Sequence, residues 1–208
     1  MREAFRAIPY ARLFFLNGGL IVISMKTTIA QPFCDSVFQD IKAHVKQVRR
    51  LFDWPGIPYH DAHEPENVVN EEGALTGNKF NRWFFHRPPM LHALHHSPEL
   101  LDFAHKTFGV AVKPSYVFLS MYGPEGVCPL HTDRPQCQFT IDLQINSDGE
   151  WPIYVDGQPH VLKDGQALCY SGTGQPHFRK PMAQDSNATK MDLAFFHFVP
   201  IDWMGKTD

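Results

Sequence analysis

The chain has 208 residues, which is enough for one domain with a substantial hydrophobic core. Hydrophobic residues make up 43% and charged residues 20% of the sequence, which is ordinary for a soluble globular protein. The 19 lysines and arginines are outnumbered by 22 aspartates and glutamates, so the formal net charge is −3. This balance argues against a general nucleic-acid-binding surface, which needs a basic face. We therefore expect no nucleic-acid partner.

The first 24 residues differ from the rest of the chain and precede a second methionine, Met25. Basic residues lie ahead of an apolar run, at Arg2, Arg6 and Arg12. This pattern loosely resembles a signal peptide, but the run is broken by Asn17-Gly18-Gly19 and is too short for a membrane helix. We interpret residues 1–24 as an N-terminal extension, with a signal peptide or a structural segment as the alternatives. Residues 25–208 are expected to form a single domain with no membrane partner.

The four cysteines indicate a reducing compartment. They are Cys34, Cys128, Cys137 and Cys169. None belongs to a C-x-x-C pair, and their spacings suit neither a zinc knuckle nor a disulfide scaffold. We expect reduced thiols in a cytoplasmic protein.

Two helices are predicted in the N-terminal half. Over residues 35–52, apolar residues recur at helical spacing, at Val37, Ile41, Val45, Val48 and Phe52. A second helix is expected to begin at Ser97-Pro98-Glu99, because serine suits the N-cap, proline the first helical position and glutamate the first turn. Gly109 is expected to end it. Residues 54–78 are predicted to be irregular, and the aromatic residues 80–86 to form a strand or a pocket wall.

After Lys113 the pattern changes to short strands separated by turn residues. The predicted strands are residues 116–122, 138–146, 151–155, 161–162, 167–170, 177–180 and 191–199. Phe195, Phe196 and Phe198 are expected to be core positions of the last strand. Helices ahead of a strand-rich half predict an α+β fold. We expect a double-stranded β-helix, or jelly-roll, core over about residues 114–200, with the N-terminal helices packed on one sheet.

The sequence His131-Thr132-Asp133 is the strongest candidate for a metal site. In a strand, residues i and i+2 point to the same side, so His131 and Asp133 can offer two ligand atoms to one ion. His177 follows a turn, 44 residues after Asp133, and is the best candidate for a third ligand. Two histidines and one carboxylate leave open coordination positions, as an oxygen-activating Fe(II) requires.

The surrounding residues are similar to the 2-oxoglutarate/Fe(II)-dependent oxygenase superfamily, in its prolyl-hydroxylase-like form. Tyr122-Gly123-Pro124 before the histidine–aspartate motif resembles the family's approach to its first two ligands. Residues 161–170 resemble the family's strand pair ending in A-L-x-Y, although Lys163-Asp164-Gly165 stands where Pro-Gly-Asp is commoner. Gln175-Pro176-His177-Phe178-Arg179 resembles the segment of the second histidine, and residues 191–199 resemble the closing strand.

This resemblance implies a single oxygenase domain over residues 25–208, with iron(II) held by His131, Asp133 and His177. It implies 2-oxoglutarate and O₂ as cosubstrates, and hydroxylation of an unactivated C–H bond of a small molecule or amino-acid-type substrate with release of succinate and CO₂. A retained Asp133 favours hydroxylation over halogenation, while desaturation and ring formation stay open.

A basic residue is expected to bind the distal carboxylate of 2-oxoglutarate. Arg179 is favoured because it lies two residues after His177 and so shares that ligand's face of a strand. Lys190, at the head of the last strand, is the alternative, and the Tyr122 hydroxyl can donate to the same carboxylate. Two other functions compete with the oxygenase. One is a cupin-like metal-binding protein, either an isomerase or a dioxygenase without an organic cosubstrate, and the other is a non-catalytic β-sandwich binding module.

Overall fold

The computed structural model describes residues 11–16, 19–52, 67–69, 75–78 and 80–207. The helices in this part of the chain are α1 (Asp35–Phe52), α2 (Pro89–His95), α3 (Pro98–Phe108) and α4 (Met182–Asp185). The first strands are β1 (Ala11–Leu16), β2 (Gly19–Ser24), β3 (Thr28–Ala30), β4 (Asn67–Val69), β5 (Leu75–Asn78), β6 (Arg82–His86) and β7 (Val112–Tyr122). The later ones are β8 (Cys128–His131), β9 (Phe139–Ser147), β10 (Ile153–Val155), β11 (Gln158–His160), β12 (Ala167–Tyr170), β13 (His177–Arg179) and β14 (Met191–Pro200).

Two antiparallel sheets form the body of the fold. The larger has six strands in the order β3-β12-β9-β14-β7-β6, and the smaller has four in the order β11-β10-β13-β8. Apolar clusters join the two sheets, since Ile153 and Val155 of β10 pack with Leu168 and Tyr170 of β12. This arrangement confirms the predicted α+β fold with a jelly-roll core.

The helices cover the outer face of the six-stranded sheet, as predicted. Helix α1 packs on β9, and α2 and α3 pack on β7. Along β9, Phe139, Ile141 and Leu143 face these helices in one continuous core. Because side chains alternate along a strand, Thr140 and Asp142 point to the other face, between the two sheets, although both are fully buried. The centre of the six-stranded sheet is therefore buried on both faces.

The helix ends follow from local chemistry. Helix α1 has the bounds that its apolar spacing predicted. At the start of α3, the Ser97 hydroxyl accepts a hydrogen bond from the Leu100 N–H at 3.2 Å. At its end, Gly109 adopts a φ of 69° and donates its N–H to the His105 carbonyl at 3.0 Å. Among the described residues, no helix is long and apolar enough to cross a membrane.

A buried ion pair holds α1 against the sheet. The Arg49 guanidinium donates to the Asp192 carboxylate of β14 at 2.7 Å and to the Tyr122 carbonyl of β7 at 2.8 Å. Both charged side chains are almost fully buried. Such a pair is costly to break, because removal of one partner takes a compensating charge away from a buried ion.

The structure corrects three local predictions. Strand β11 comes three residues earlier than the expected strand at 161–162, because Asp156 and Gly157 both have positive φ and form a tight two-residue hairpin. Helix α2, which begins at Pro89, was not predicted. Within the region expected to be irregular, β4 and β5 pair with each other, whereas residues 54–65 lie outside the described residues.

The N-terminal segment forms a hairpin in the part that is described. Strand β1 pairs antiparallel with β2, from Ala11 opposite Ser24 to Leu16 opposite Gly19. Residues 1–10, 17 and 18 lie outside the described residues. The interpretation of residues 1–24 as an extension stays a prediction.

We predict that His95 makes the protein acid-sensitive. Its Nε2 donates to the His197 carbonyl at 2.8 Å. Burial lowers the pKa of His95 to about 3, although this hydrogen bond acts to raise it. The unfolded chain, with an ordinary histidine pKa of about 6.5, therefore binds a proton first. Stability is then lost as pH falls from about 6.5 towards 3, by up to about 1.4 kcal/mol per pH unit for this group.

The matched variant is His95→Gln, which keeps an N–H donor but cannot titrate. Urea unfolding of both proteins at several pH values between 7 and 4 measures the two slopes. We expect a shallower pH dependence of the free energy of unfolding in the variant. Parallel slopes would contradict the prediction.

Candidate metal centre

Two strands of the smaller sheet bring the predicted histidines together. Strands β8 and β13 pair with His131 directly opposite His177. The Nε2 atoms of His131 and His177 lie 3.5 and 3.6 Å from Oδ1 of Asp133. The three ligand atoms all lie within 4.8 Å of one another. The predicted triad therefore converges on one point.

Backbone carbonyls set the orientation of both imidazole rings. Nδ1 of His131 lies 2.8 Å from the Pro129 carbonyl, and Nδ1 of His177 lies 3.0 Å from the Gln175 carbonyl. A carbonyl oxygen only accepts, so each Nδ1 donates its N–H. In its neutral form, each ring then has its Nε2 lone pair on the side of Asp133. Two imidazoles with anchored Nδ1–H groups and one carboxylate are a donor set that suits a divalent transition-metal ion.

The electrostatics of the triad favour a cation. Burial acts to lower the pKa of His131, but hydrogen bonds with Asp133 and Cys128 outweigh it and raise that pKa to about 10. Burial acts to raise the pKa of Asp133, but His131 and His177 outweigh it and hold that pKa well below its usual range. A proton on His131 thus compensates the carboxylate, and a metal ion held by the triad would take over this role by displacing that proton.

Asp133 reaches the site by a different route from the one predicted. Strand β8 ends at His131, so the expectation that Asp133 shares a strand face with it is wrong. Instead, the Asp133 N–H donates to the Gly172 carbonyl at 2.8 Å, in the turn after β12. The Thr140 hydroxyl of β9 donates to Oδ2 of the carboxylate at 3.3 Å. These contacts leave Oδ1 as the oxygen that faces both histidines.

Gly172, in the turn after β12, lies directly against Asp133. A Cβ atom at this position would lie 2.3 Å from Oδ2 of Asp133, 2.4 Å from the Cys137 carbonyl and 2.7 Å from Oγ1 of Thr140. The closely packed atoms around this partly buried carboxylate cannot give way by that amount without moving the carboxylate. Only glycine therefore fits beneath Asp133.

The triad lies in a cleft between the two sheets. The cleft measures about 400 Å³ including its open mouth, and residues of both sheets line it. Besides the triad, its walls include Arg82, Phe118, Tyr122, Cys128, Asp142, Ile153, Tyr170, Arg179, Phe195 and His197. The candidate metal-binding triad, two arginines and several aromatic rings thus share one cavity.

Arg179 lies in this cleft on the same strand face as His177, as predicted. Its side chain is 3% exposed. The guanidinium donates to the Trp151 carbonyl, lies 5.1 Å from the centre of the Trp151 ring and approaches Oδ2 of Asp142 at 3.4 Å. Burial raises the pKa of Asp142, and Arg179 acts against this shift. These contacts hold the guanidinium in one position next to the triad.

The other two residues expected to bind 2-oxoglutarate have different placements. Tyr122 lies in the cleft wall, and its hydroxyl accepts a hydrogen bond from Arg82 at 3.2 Å. Burial raises the pKa of Tyr122 to about 12, against the opposing effect of Arg82, so the phenol keeps its proton. Lys190 is exposed beside β14 and does not line the cleft. The structure therefore brings Tyr122 and Arg179 to the triad and leaves Lys190 outside.

Several residues of the cleft were not singled out from the sequence. They are Arg82, Phe118, Asp142 and His197, together with Thr140, which contacts Asp133 behind the lining residues. Strict alternation in β9 and β14 could have indicated some of them, because polar residues there alternate with core residues. Phe195 was expected to be a core position like Phe196 and Phe198. It lines the cleft instead, stacked on Phe118 with ring centres 4.5 Å apart.

Three solved structures resemble this chain over most of its length. AviO1 from Streptomyces viridochromogenes Tue57 has a TM-score of 0.63 at 15% identity, over 86% of this chain and 92% of its own. HygX from Streptomyces hygroscopicus, with nickel, 2-oxoglutarate and hygromycin B bound, has a TM-score of 0.57 at 9% identity, over 85% of this chain and 84% of its own. EctD from S. alaskensis, with bound Fe, has a TM-score of 0.62 at 12% identity, over 97% of this chain and 85% of its own. No protein-family model and no curated protein matches the chain.

These likenesses show that the chain has the fold of the 2-oxoglutarate/Fe(II)-dependent oxygenases, as the sequence resemblance predicted. The match extends beyond residues 114–200 and covers most of the chain. At these identities the likeness establishes the fold, and the chemistry has to follow from the site itself.

We predict that Gly172→Ala disrupts the metal centre. The added methyl group overlaps Oδ2 of Asp133, so the carboxylate has to turn away from the histidines. We expect Fe(II) affinity to fall by at least about 10-fold, the scale on which groups that orient metal ligands act. Isothermal titration with Fe(II) under anaerobic conditions measures this change.

Gly174→Ala, in the same turn, is the matched control. Its added Cβ would approach a side-chain atom, Oγ of Ser171, at 2.8 Å, and no atom of Asp133 lies within its three nearest contacts. We expect this variant to bind Fe(II) as the wild type does. Equal affinity of the wild type and Gly172→Ala would contradict the role given to Gly172.

Proposed function

We propose that this chain is an Fe(II)- and 2-oxoglutarate-dependent oxygenase that hydroxylates an unactivated C–H bond of a small molecule or amino-acid-type substrate. The observation that carries this proposal is the convergence of two imidazole Nε2 atoms and one carboxylate oxygen within 4.8 Å of one another. Both rings are already oriented by their Nδ1–H groups. When bound, iron and 2-oxoglutarate supply the activation of O₂ that converts R–H to R–OH with release of succinate and CO₂.

The three side chains suit this chemistry better than the cupin-like alternative. Cupins usually hold their metal with an H-x-H pair, another histidine and a carboxylate. Among the described residues, no further histidine, cysteine or carboxylate joins His131, Asp133 and His177. An iron ion held by only these three side chains would keep coordination positions open for a cosubstrate and O₂. The donor set therefore supports the oxygenase.

The cleft also offers a partner for an anionic cosubstrate. The guanidinium of Arg179 is planar, buried and held by Asp142 and Trp151, so it can bind a carboxylate at little further entropic cost. The protonated hydroxyl of Tyr122 is a further donor in the same cleft. Lys190 would have to leave solvent and displace the cleft wall to reach the same carboxylate. We assign the distal carboxylate of 2-oxoglutarate to Arg179, with Tyr122 as a second donor.

The lining of the cleft suits a small substrate. Apolar and aromatic walls with a few converging polar groups are typical of small-molecule sites. HygX, which shares the fold, was solved with the small molecule hygromycin B bound. The stacked rings of Phe118 and Phe195 provide an apolar wall that excludes water from the reacting carbon.

We expect the purified protein to convert 2-oxoglutarate to succinate when Fe(II) and O₂ are supplied. Asp133→Ala and His177→Ala are each expected to lower the rate by at least about 100-fold, because removing a ligand costs more than removing a group that orients one. Succinate quantified by mass spectrometry and bound iron measured by elemental analysis test this expectation.

The matched control is Asp202→Ala, which removes an exposed carboxylate far along the chain from the triad. It should keep wild-type iron content and succinate formation. Stoichiometric iron in His177→Ala would remove His177 from the metal site. Iron binding by the wild type without any 2-oxoglutarate turnover would favour the cupin-like alternative.

We also predict that Arg179→Ala weakens 2-oxoglutarate binding by about 10- to 100-fold, the value of a charge-assisted hydrogen-bonded pair. Iron affinity should change much less. Lys190→Ala serves as the matched loss of one positive charge and should leave the KM for 2-oxoglutarate unchanged. A raised KM in Lys190→Ala alone would transfer the role to Lys190.

A further inference from the structure

A chain of hydrogen bonds connects the carboxylate of the triad to a third histidine of the cleft, His197. The Thr140 hydroxyl donates to Oδ2 of Asp133 at 3.3 Å. The same oxygen, Oγ1, lies 3.0 Å from Nδ1 of His197. Thr140 and His197 are both buried, and His197 lies on β14 next to Thr140 of β9 in the sheet register.

The directions of these hydrogen bonds follow from the ionised carboxylate of Asp133, with which the chain of bonds begins. An ionised carboxylate has no proton to donate, so Thr140 must donate its only O–H to Asp133. The Thr140 oxygen can then only accept, and Nδ1 of His197 must be the N–H donor. A neutral imidazole with its proton on Nδ1 has a lone pair on Nε2. The environment thus selects one tautomer of His197.

The remaining nitrogen of His197 faces the cleft. The ring lines the cleft wall and stacks with Tyr116, Phe118 and Phe195 at interplanar angles of 18°, 29° and 15°. Its backbone carbonyl accepts the hydrogen bond from His95. Among the described residues, Nε2 of His197 has no hydrogen-bond partner. It is also not among the fully buried polar atoms that lack a partner, so it keeps some solvent-accessible surface. An oriented acceptor therefore projects into the space beside the triad.

A positive charge on this ring is disfavoured. Burial lowers the pKa of His197 to about 4, even though Asp133 acts to raise it. At neutral pH the ring is uncharged, so Nε2 accepts and does not donate.

We propose that Nε2 of His197 accepts a hydrogen bond from the substrate, and that the site selects small molecules with a hydroxyl or amino group beside the carbon to be oxidised. This inference rests on the proposed oxygenase function. Neither ionised 2-oxoglutarate nor O₂ can donate a hydrogen bond, so the donor has to come from the substrate or from water. The apolar wall of Phe118 and Phe195 then holds the carbon skeleton, while His197 sets the position of the polar group.

The tautomer can be tested without any turnover. Long-range ¹H–¹⁵N spectra of histidine-labelled protein, loaded with diamagnetic Zn(II), distinguish Nδ1–H from Nε2–H rings. The His197 signals are assigned by their loss in His197→Asn. We expect Nδ1–H in the wild type and in Thr140→Ser, and a mixture of tautomers in Thr140→Val, which lacks the acceptor. An Nε2–H or doubly protonated ring in the wild type would overturn the proposal.

The substrate class is tested with a matched pair of probes, trans-1,2-cyclohexanediol and its dimethyl ether. In the protein loaded with Zn(II) and 2-oxoglutarate, the diol is expected to shift the Nε2 resonance and to bind about 3- to 10-fold more tightly than the ether, the value of one neutral hydrogen bond. In His197→Asn, whose amide can still donate to Thr140, this preference should disappear. It should persist in His96→Asn, which changes an exposed histidine of the helical layer.

Each outcome bears on one of the two proposals separately. An equal response of Nε2 to diol and ether, or no response to saturating diol, would show a solvent site only and overturn the assignment of His197. Succinate formation by the wild type reports on the oxygenase independently of either probe. Active enzyme with an unresponsive His197 therefore rejects the substrate inference alone, and a diol-selective but inactive protein rejects the oxygenase alone.

Discussion

The central strands of the six-stranded sheet are buried on both faces, and this constraint organises the rest of the structure. Each of these strands has to meet two different environments with a period of two residues. On β9, Ile141 and its neighbours pack against the helices, while Thr140 and Asp142 point between the sheets. Strand β14 does the same with Phe196 on one side and His197 on the other. The inner face can therefore carry polar chemistry, because the outer face supplies the hydrophobic core that stabilises the fold.

The candidate metal centre shows how hydrogen bonds stabilise polar groups inside the cleft. Each histidine donates Nδ1–H to a backbone carbonyl of its own segment, so only Nε2 remains for a ligand. Asp133 is held by a backbone contact to Gly172 and a hydroxyl contact to Thr140. A carboxylate flanked by two imidazoles in a partly buried cleft compensates its desolvation either by protonating a histidine or by binding a cation. In the proposed oxygenase, a bound cation would compensate the carboxylate.

The cleft separates the tasks that such an oxygenase has to perform. Arg179, braced by Asp142 and Trp151, supplies fixed positive charge near the triad for an anionic cosubstrate. His197, braced by Thr140 and by its stacked neighbours, supplies a neutral acceptor. Because both groups are already held by these contacts, neither has to reorganise when a ligand arrives. Such preorganisation lowers the cost of binding and orients the reacting groups.

The sequence by itself determined the elements that depend on near neighbours in the chain. The bounds of α1 and β12, the cap of α3 and the core face of β9 follow from periodicity and end chemistry, and the His131, Asp133 and His177 triplet follows from a short motif. Only the tertiary structure decided how Asp133 reaches the site from outside a strand, why Gly172 lies beneath it, and that Arg179 rather than Lys190 lines the cleft. Local patterns encode which face a side chain takes. Which distant residues share that face depends on how the strands pair and pack, and this is set by contacts between segments far apart in the chain.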